Sequence, residues 1–292
     1  MEHSLEITGL SPDPVEGWQN ALRFIGLSQR DKAAMAASVE ALLKNSTELV
    51  INTYEYLRTF PETAAILGWE SGVDEEHLEE RRRFFSIWLA RTIAVDTSDE
   101  FAYYLFRAGK YHAGHGPRHI HTPPVYVTSS IGLVLAAFSR YLGEAGLSAD
   151  VIADAMAGWS KYLSVQLNQM LTGYQCALEF ERGEIPVRLS VYGRMRSILD
   201  GKEFTLHADK GEKVVDLLRK FFNYFPQARA ETLERIWHSE EKEDSLWLEV
   251  KPVYVPLPGW RILLNGRDLV FEGGFQKVIH KEDEMAIFPP GR

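Results

Sequence analysis

The histidines of this chain are unevenly distributed, and their spacing is the first feature that suggests chemistry. Four of the nine fall within ten residues, at His112, His115, His119 and His121. Neutral imidazole is a common metal ligand, and two histidines three residues apart share a helix face, so zinc is one interpretation. However, no second Cys or His cluster completes a tetrahedral set, and no His-Glu-x-x-His pattern occurs. A solvated polar loop is another interpretation, favoured for the last three histidines by the nearby glycines and proline.

Heme iron is the third interpretation of this segment. It requires one imidazole on an amphipathic helix, together with an apolar slot inside a large helical region. His112 lies near the end of a predicted helix, whereas the other three histidines follow its last turn. Phe101, Leu105 and Ala108 lie on the same side of that helix at helical spacing.

The chain up to about residue 183, which positions these residues, is predicted to be helical from the spacing of its apolar residues. The long stripe from Ile152 to Tyr174 advances in steps of three or four, while Ser98 and Pro123-Pro124 mark helix starts. Residues 182–186 are predicted to form a short linker. The predicted helices cover residues 14–26, 29–44, 46–58, 75–93, 98–113, 125–144 and 149–182.

Beyond the linker the spacing of apolar residues changes from one in about 3.6 residues to every second residue, which indicates strands. Asn265-Gly266 predicts a type I′ hairpin turn between 260–264 and 267–271, because both residues tolerate positive φ. The region 237–259, rich in charge, proline and tryptophan, is predicted to be an insertion. The order of elements predicts an α+β fold with a mixed sheet. The other predicted elements are strands at 187–192, 203–208 and 284–288 and a helix at 211–225.

Composition sets limits on the function. A chain of 292 residues suggests two domains, predicted at 1–183 and 184–292. The net charge of −9 argues against nucleic acid as a partner, because phosphate binding needs a basic face. Neither a signal peptide nor a run of about 20 apolar residues is visible, so no membrane association is expected. The single cysteine, Cys176, is consistent with a reducing cytoplasm.

Three segments resemble a known family. Residues 49–63 (LVINTYEYLRTFPET) are similar to the second globin helix of the globin-coupled sensors and related protoglobins. Residues 99–112 (DEFAYYLFRAGKYH) are similar to their proximal helix, and Pro124-Val-Tyr126 occupies the place of their Pro-x-Trp-Tyr motif. The resemblance covers residues 29–180 and implies an all-α globin fold, here with an additional N-terminal helix.

The resemblance also implies a site. His112 would be the ligand of the iron of heme b, and Tyr54 would donate a hydrogen bond to bound O₂, worth roughly 1.5–3 kcal/mol. Leu78 resembles the family's distal leucine, which excludes water, and Tyr126 would lie at the heme edge. Phe85, on the same helix face, is either a pocket residue or ordinary core. O₂ is the expected ligand, with CO and NO as others, and the last two globin helices would form a homodimer.

The arginine run 81–83 follows four glutamates on the same predicted helix. Two interpretations remain open for it: contact with heme propionates or a phosphate ligand, or a solvated face balanced by i,i+3 and i,i+4 pairs. The sequence favours the solvated face.

The C-terminal region resembles a second family. Residues 187–193 (VRLSVYG), 211–218 (GEKVVDLL), 264–269 (LNGRDL) and 282–290 (EDEMAIFPP) are similar, in order, to segments of the MoaD/ThiS-type β-grasp (ubiquitin-like) sulfur carriers. That family acts through a C-terminal Gly-Gly, whereas this sequence ends Pro290-Gly291-Arg292. The β-grasp domain is therefore expected to be a docking or signalling surface with a protein partner.

The combined prediction is a non-enzymatic, heme-based gas sensor that signals through a β-grasp domain, because no catalytic triad, phosphate-binding glycine loop or carboxylate pair is visible. One alternative is a sulfur carrier, or a partner in molybdopterin or thiamin biosynthesis, that bears a globin domain. A second is a heme-free globin-fold interaction module in which His112 is only structural.

Overall fold

The structure, a computed structural model, describes residues 5–241 and 247–291. Its contacts divide the chain into two compact units. One unit is residues 14–175, and the other combines residues 1–13 with residues 176–292. This division differs from the predicted limits of 1–183 and 184–292, because the N-terminal segment and the end of the long helix group with the C-terminal residues.

The helical unit has the helices that the sequence predicted, each with ends within one residue of the prediction, and one short helix that was missed. The missed helix, α4, follows α3 directly and is signalled only by a proline at its first position. The helices are α1 (Pro14–Ile25), α2 (Gln29–Lys44), α3 (Ser46–Thr59), α4 (Pro61–Ile66), α5 (Glu75–Ile93), α6 (Asp99–His112), α7 (Pro124–Glu144) and α8 (Ala149–Glu181).

Aromatic side chains fill the core of this unit and fix the helices against one another. Trp18 of α1 is fully buried and meets Phe101 of α6 edge-on at 5.9 Å. The indole N–H of Trp159 donates to the Ser38 hydroxyl over 2.9 Å, so α8 is joined to α2 inside the core. A satisfied buried donor of this kind holds a specific packing arrangement, because leaving it unpaired costs about 1–3 kcal/mol.

Asp31 stabilises the start of α2, and its lowered pKa makes this contribution to the stability depend on pH. Its carboxylate accepts from the Lys161 ammonium and from the Ser28 N–H, both at 2.8 Å, and these bonds lower its pKa to about 2. A depressed pKa adds stability above the unfolded-state value near 4, and that stability is lost as the pH falls toward 2. We expect Asp31→Asn to lower the melting temperature at pH 7, with the difference from wild type shrinking between pH 4 and pH 2. A difference that does not change with pH in thermal melts contradicts this assignment.

The other unit is an α+β fold around a five-stranded mixed sheet. The sheet order is β2-β1-β7-β5-β6, with β1 parallel to β7 and every other pair antiparallel. The apolar face of α10, including Leu217, Leu218 and Phe221, is fully buried in this unit's core. This topology is the β-grasp, so the α+β β-grasp fold predicted for the C-terminal region is confirmed. The elements are β1 (Ile185–Val191), α9 (Met195–Leu199), β2 (Glu203–Ala208), α10 (Val214–Tyr224), α11 (Pro226–Thr232), β3 (Leu233–Glu241), β4 (Leu248–Pro256), β5 (Arg261–Leu264), β6 (Arg267–Asp268) and β7 (Glu284–Phe288).

Several local predictions in this unit need adjustment. The hairpin turn is present, with φ of 52° at Asn265 and 75° at Gly266, but β6 ends at Asp268 and not at 271. The short helices α9 and α11 were missed. The insertion is a two-stranded antiparallel ribbon of β3 and β4 that begins at Leu233, four residues earlier than predicted. Residues 242–246 of the predicted insertion lie outside the described residues.

The N-terminal segment is held by hydrogen bonds within the β-grasp unit. Ile7 pairs with Tyr254 through two backbone hydrogen bonds of 2.9 Å, and the Arg219 guanidinium donates to the Thr8 carbonyl at 2.8 Å. Arg229 donates to the Ser11 carbonyl at 2.6 Å. These bonds are why contacts assign the segment to this unit; its sequence has no periodicity that could have predicted them.

Among the described residues, α7 alone has the length and apolar composition of a membrane-crossing helix. A core helix of a soluble protein passes the same test, and Ile131, Val134 and Phe138 of α7 are buried in the core of the helical unit. The sequence predicted no such helix, because the longest unbroken apolar run in α7 is residues 131–138, with Gly132 included.

Candidate functional site

The helix that carries His112 is fixed by direct backbone contact with α8. A Cβ added at Gly109 of α6 would lie 1.8 Å from the carbonyl oxygen of Met170, and one added at Gly173 of α8 would lie 1.9 Å from that of Phe106. Only glycine permits such an approach, because any other residue places a side chain between the two backbones. His112 follows Gly109 by three residues, so this crossing determines where its imidazole lies.

The His112 ring is held in one orientation by its own helix. Its Nδ1 lies 2.7 Å from the carbonyl oxygen of Ala108. A carbonyl can only accept, so Nδ1 carries the proton, and the lone pair of the neutral ring is on Nε2. No hydrogen bond within the described residues involves Nε2. A metal-ligating histidine typically has this arrangement, with one nitrogen bonded to a carbonyl and the other free to coordinate.

The electrostatic surroundings keep this imidazole neutral. Burial lowers the pKa of His112; the bond to the Ala108 carbonyl opposes this change, and the positive charge of Arg81 adds to the lowering. A neutral imidazole is the form that binds a metal. The donor set therefore fits a metal of the heme type, which takes one imidazole from the protein.

Tyr54 of α3 packs against aromatic side chains, one of which, Phe85, belongs to α5. Its ring meets Trp69 at 6.4 Å and Phe85 at 6.2 Å, both edge-on. Its hydroxyl donates to the Arg81 carbonyl at 2.8 Å. Burial raises the pKa of this hydroxyl far above its ordinary value, so it remains a donor at any physiological pH.

Arg81 does not belong to the solvated face that the sequence analysis predicted for the arginine run. Arg83 is exposed as predicted, whereas Arg82 pairs with Glu79 and with Glu55 of α3 and has a buried Nε. Arg81 instead donates from Nε to Nε2 of the buried His77 at 2.9 Å. Arg81 therefore contacts His77 through its guanidinium and Tyr54 through its carbonyl, and its positive charge also adds to the lowering of the pKa of His77 and His112.

The remaining predicted residues occupy different places. Leu78 is buried, next to His77 on α5. Phe85 stacks on Trp88 at 5.4 Å as well as meeting Tyr54. Tyr126 meets Phe60 edge-on at 6.3 Å, and no ring contact or hydrogen bond in the described part of the chain joins it to His112. The structure thus brings Tyr54 and Phe85 together, and leaves the roles of Leu78 and Tyr126 as predictions.

Of the histidines that follow α6, His121 is held by structural contacts. The Thr122 N–H donates to the His112 carbonyl at 2.7 Å, and Ala113 forms an isolated antiparallel bridge with His121. The His121 Nε2 lies 2.8 Å from the Tyr174 hydroxyl of α8. Within 5–241 and 247–291, no group of three His, Cys, Asp or Glu side chains could hold a metal ion.

Trp69 and His77 are site residues that sequence reasoning missed. The two rings lie 5.5 Å apart, and the buried indole N–H of Trp69 has no partner among the described residues. An orphaned donor beside the Tyr54 ring fits a pocket whose ligand supplies an acceptor. His77 could have been found from its position directly before Leu78, whereas Trp69 lies outside any motif. A separate groove of about 540 Å³, lined by Val50, Leu89 and other residues of α2, α3 and α5, includes none of the predicted site residues.

Comparisons with known proteins confirm the globin family predicted for the helical region. The family model for protoglobins matches residues 16–180. Among solved structures, the globin domain of the Geobacter sulfurreducens globin-coupled sensor is 18% identical, covering 54% of this chain and 97% of that chain at a TM-score of 0.44.

Two small proteins are similar to a different part of the chain. The small archaeal modifier protein 1 of Methanosarcina acetivorans is 24% identical and covers 36% of this chain and 93% of its own, with a TM-score of 0.27. A putative molybdopterin converting factor subunit 1 from Pyrococcus furiosus is 18% identical. The match covers 37% of this chain and 100% of that chain, with a TM-score of 0.25. No curated protein matches the chain significantly.

Proposed function

Because the chain belongs to the protoglobin family, we propose that its helical unit binds heme b through Nε2 of His112 and takes a diatomic gas, O₂ foremost, beside Tyr54. The observation that carries the proposal is the His112 imidazole, neutral, with Nδ1 bonded to the Ala108 carbonyl and Nε2 without a partner among the described residues. Heme held by one imidazole has an open coordination position for O₂, CO or NO.

The chain's own residues orient and protect the bound gas. The Tyr54 hydroxyl has one hydrogen, so it donates either to the Arg81 carbonyl or to the gas, and donation to the gas requires it to leave the carbonyl. Leu78 and Phe85 supply apolar surface that excludes water, which slows oxidation of the iron. Tyr126 lies at the heme edge in this proposal.

Replacing Tyr54 by phenylalanine tests the gas-binding role. A hydrogen bond to a partly charged acceptor is worth about 1.5–3 kcal/mol, but donating it gives up the bond to the Arg81 carbonyl, worth about 1 kcal/mol. The net gain predicts that O₂ dissociates roughly two- to thirtyfold faster from Tyr54→Phe than from wild type. CO, which carries less charge, should change less. Tyr56→Phe is the matched control, because that side chain is exposed and should leave both rates unchanged. Equal O₂ dissociation rates for wild type and Tyr54→Phe in stopped-flow measurements contradict the assignment.

The β-grasp unit is the output surface in this proposal, and the protein is a non-enzymatic, cytoplasmic sensor. Its last strand is held in place: Phe288 stacks on Tyr192 at 3.9 Å, and Pro289 lies so close to Gly193 that a Cβ there would be 2.7 Å from it. Homodimerisation through α7 and α8 is supported by the exposed Val125 and Leu133 on α7.

A further inference from the structure

The outer part of one face of the β3–β4 ribbon, the bare face, exposes apolar side chains beside the Arg235 guanidinium, which lies 5.5 Å from the Trp237 ring. The register places Trp237 opposite Pro252 and Ser239 opposite Val250, and Leu248 lies on the same face. Trp237, Leu248 and Val250 are 61%, 62% and 60% exposed. A solvated sheet face normally carries polar side chains, and an exposed apolar patch commonly marks an interaction site.

The opposite face of the ribbon already has its own contacts. Val253 is fully buried and Ile236 is half-buried. His238 lies 3.7 Å from the Glu6 carboxylate. On the side of Trp237, the base of the ribbon is also held, because Leu233 and Tyr254 are buried in the core of the unit. The exposed outer part, the bare face, is therefore not needed to hold the ribbon within its unit.

The outer edge of β3 is open for a further strand. Tyr254 directs both its N–H and its C=O to Ile7, away from β3. In an antiparallel ladder the residue opposite Tyr254 must then point its backbone groups away from β4, and so must every second residue after it. Trp237 and Ser239 follow at those positions, and no described strand lies beside β3 on that side. The ribbon already accepts one added segment, Ile7, on its other edge.

The negative charge of the ribbon limits which kind of partner could bind at the edge of β3. Residues 233–256 contain six acidic and three basic residues, a net charge of −3. A second copy of the ribbon and an anionic lipid surface would both be repelled by this charge. A cationic segment would be attracted, and the exposed Glu234 lies on β3 itself.

We propose that β3 receives an extended segment of a partner protein in which apolar and basic residues alternate. Main-chain hydrogen bonds form with Trp237 and Ser239, as in other cases of strand addition. The apolar side chains of the segment lie on the bare face beside Trp237, and its basic side chains lie on the opposite face, that of Glu234. This binding site is independent of heme and gas.

Fluorescence anisotropy with the full chain and a labelled (Val-Lys)₄ peptide tests the proposal. Trp237→Thr, which keeps strand propensity but removes the ring, should weaken binding roughly tenfold or more. Ser239→Pro removes an outward N–H without breaking the ladder to β4 and should weaken binding about fivefold or more. Ser239→Ala keeps that N–H and should bind as wild type does. A peptide of the same composition in block order, Val₄Lys₄, should bind more weakly.

Other results assign the surface differently. Equal affinity of wild type and Trp237→Thr for (Val-Lys)₄, or equal affinity of the two peptides, overturns the proposal. A smaller sedimenting mass for Trp237→Thr than for wild type identifies a contact between copies instead. Pelleting with phosphatidylserine–phosphatidylcholine vesicles that Trp237→Thr abolishes identifies a membrane contact, and either result also overturns it.

Discussion

Replacing His112 by alanine is expected to abolish heme binding by the full chain. The imidazole is the one ligand that the protein offers in this proposal, and its Nε2 is free because Nδ1 is bonded to the Ala108 carbonyl. Loss of a metal ligand exceeds the roughly 10- to 100-fold cost of losing a residue that only supports one, so we expect at least a 100-fold loss of hemin affinity. The measurement is a hemin titration of the apoprotein followed at the Soret band.

Two further variants separate loss of the ligand from loss of the fold. His112→Gly leaves a space for free imidazole, and addition of imidazole should restore the Soret band if the pocket is intact. His119→Ala removes an exposed loop histidine and should bind heme as wild type does. Unchanged hemin affinity in His112→Ala, with a loss in His119→Ala, assigns the ligand to the loop and contradicts the site proposed here.

Alanine at Gly109 or Gly173 is expected to cause the largest loss of stability. The new Cβ would lie 1.8 or 1.9 Å from a backbone carbonyl oxygen, and neither backbone can turn away as a flexible side chain would. The helices must separate, which costs about 3 kcal/mol by comparison with other overpacked cores and lowers the melting temperature by roughly 10 °C. Because α6 carries His112, hemin affinity should fall as well.

Gly143→Ala is the matched control for the crossing. Gly143 lies within α7, and a Cβ there meets no atom within 4 Å. Alanine should be neutral or stabilise the helix by up to about 1 kcal/mol. Calorimetry on the three variants checks the prediction. Equal melting temperatures for Gly109→Ala, Gly173→Ala and wild type contradict the close contact between α6 and α8.

Much of the fold was predictable because its signals are local. Ser98 accepts from the Phe101 N–H at 3.2 Å and begins α6 where the sequence placed it, and Pro124 begins α7. The contact between Gly109 and Gly173 was not predictable, since single glycines in two helices do not reveal that they face each other. The Ile7–Tyr254 pairing joins residues more than two hundred positions apart, which no local pattern can indicate.

The candidate site was predictable only in part, for a similar reason. The family resemblance selected His112 and Tyr54, and the structure shows the tautomer that suits a ligand and a hydroxyl that remains a donor. Arg81 was misassigned, because charge spacing on one helix favoured a solvated face while its actual partner is His77. Trp69 lies outside any motif, and its position beside Tyr54 depends on how α3 and α5 pack.

The most direct test of heme binding is the absorption spectrum of the full-length protein purified without added heme and then titrated with hemin. We expect a Soret band that saturates at one heme per chain, shifts when CO is added to the reduced protein and is absent in His112→Ala. A folded wild-type protein that stays colourless and binds no hemin contradicts the sensor function and leaves the helical unit as a heme-free interaction module.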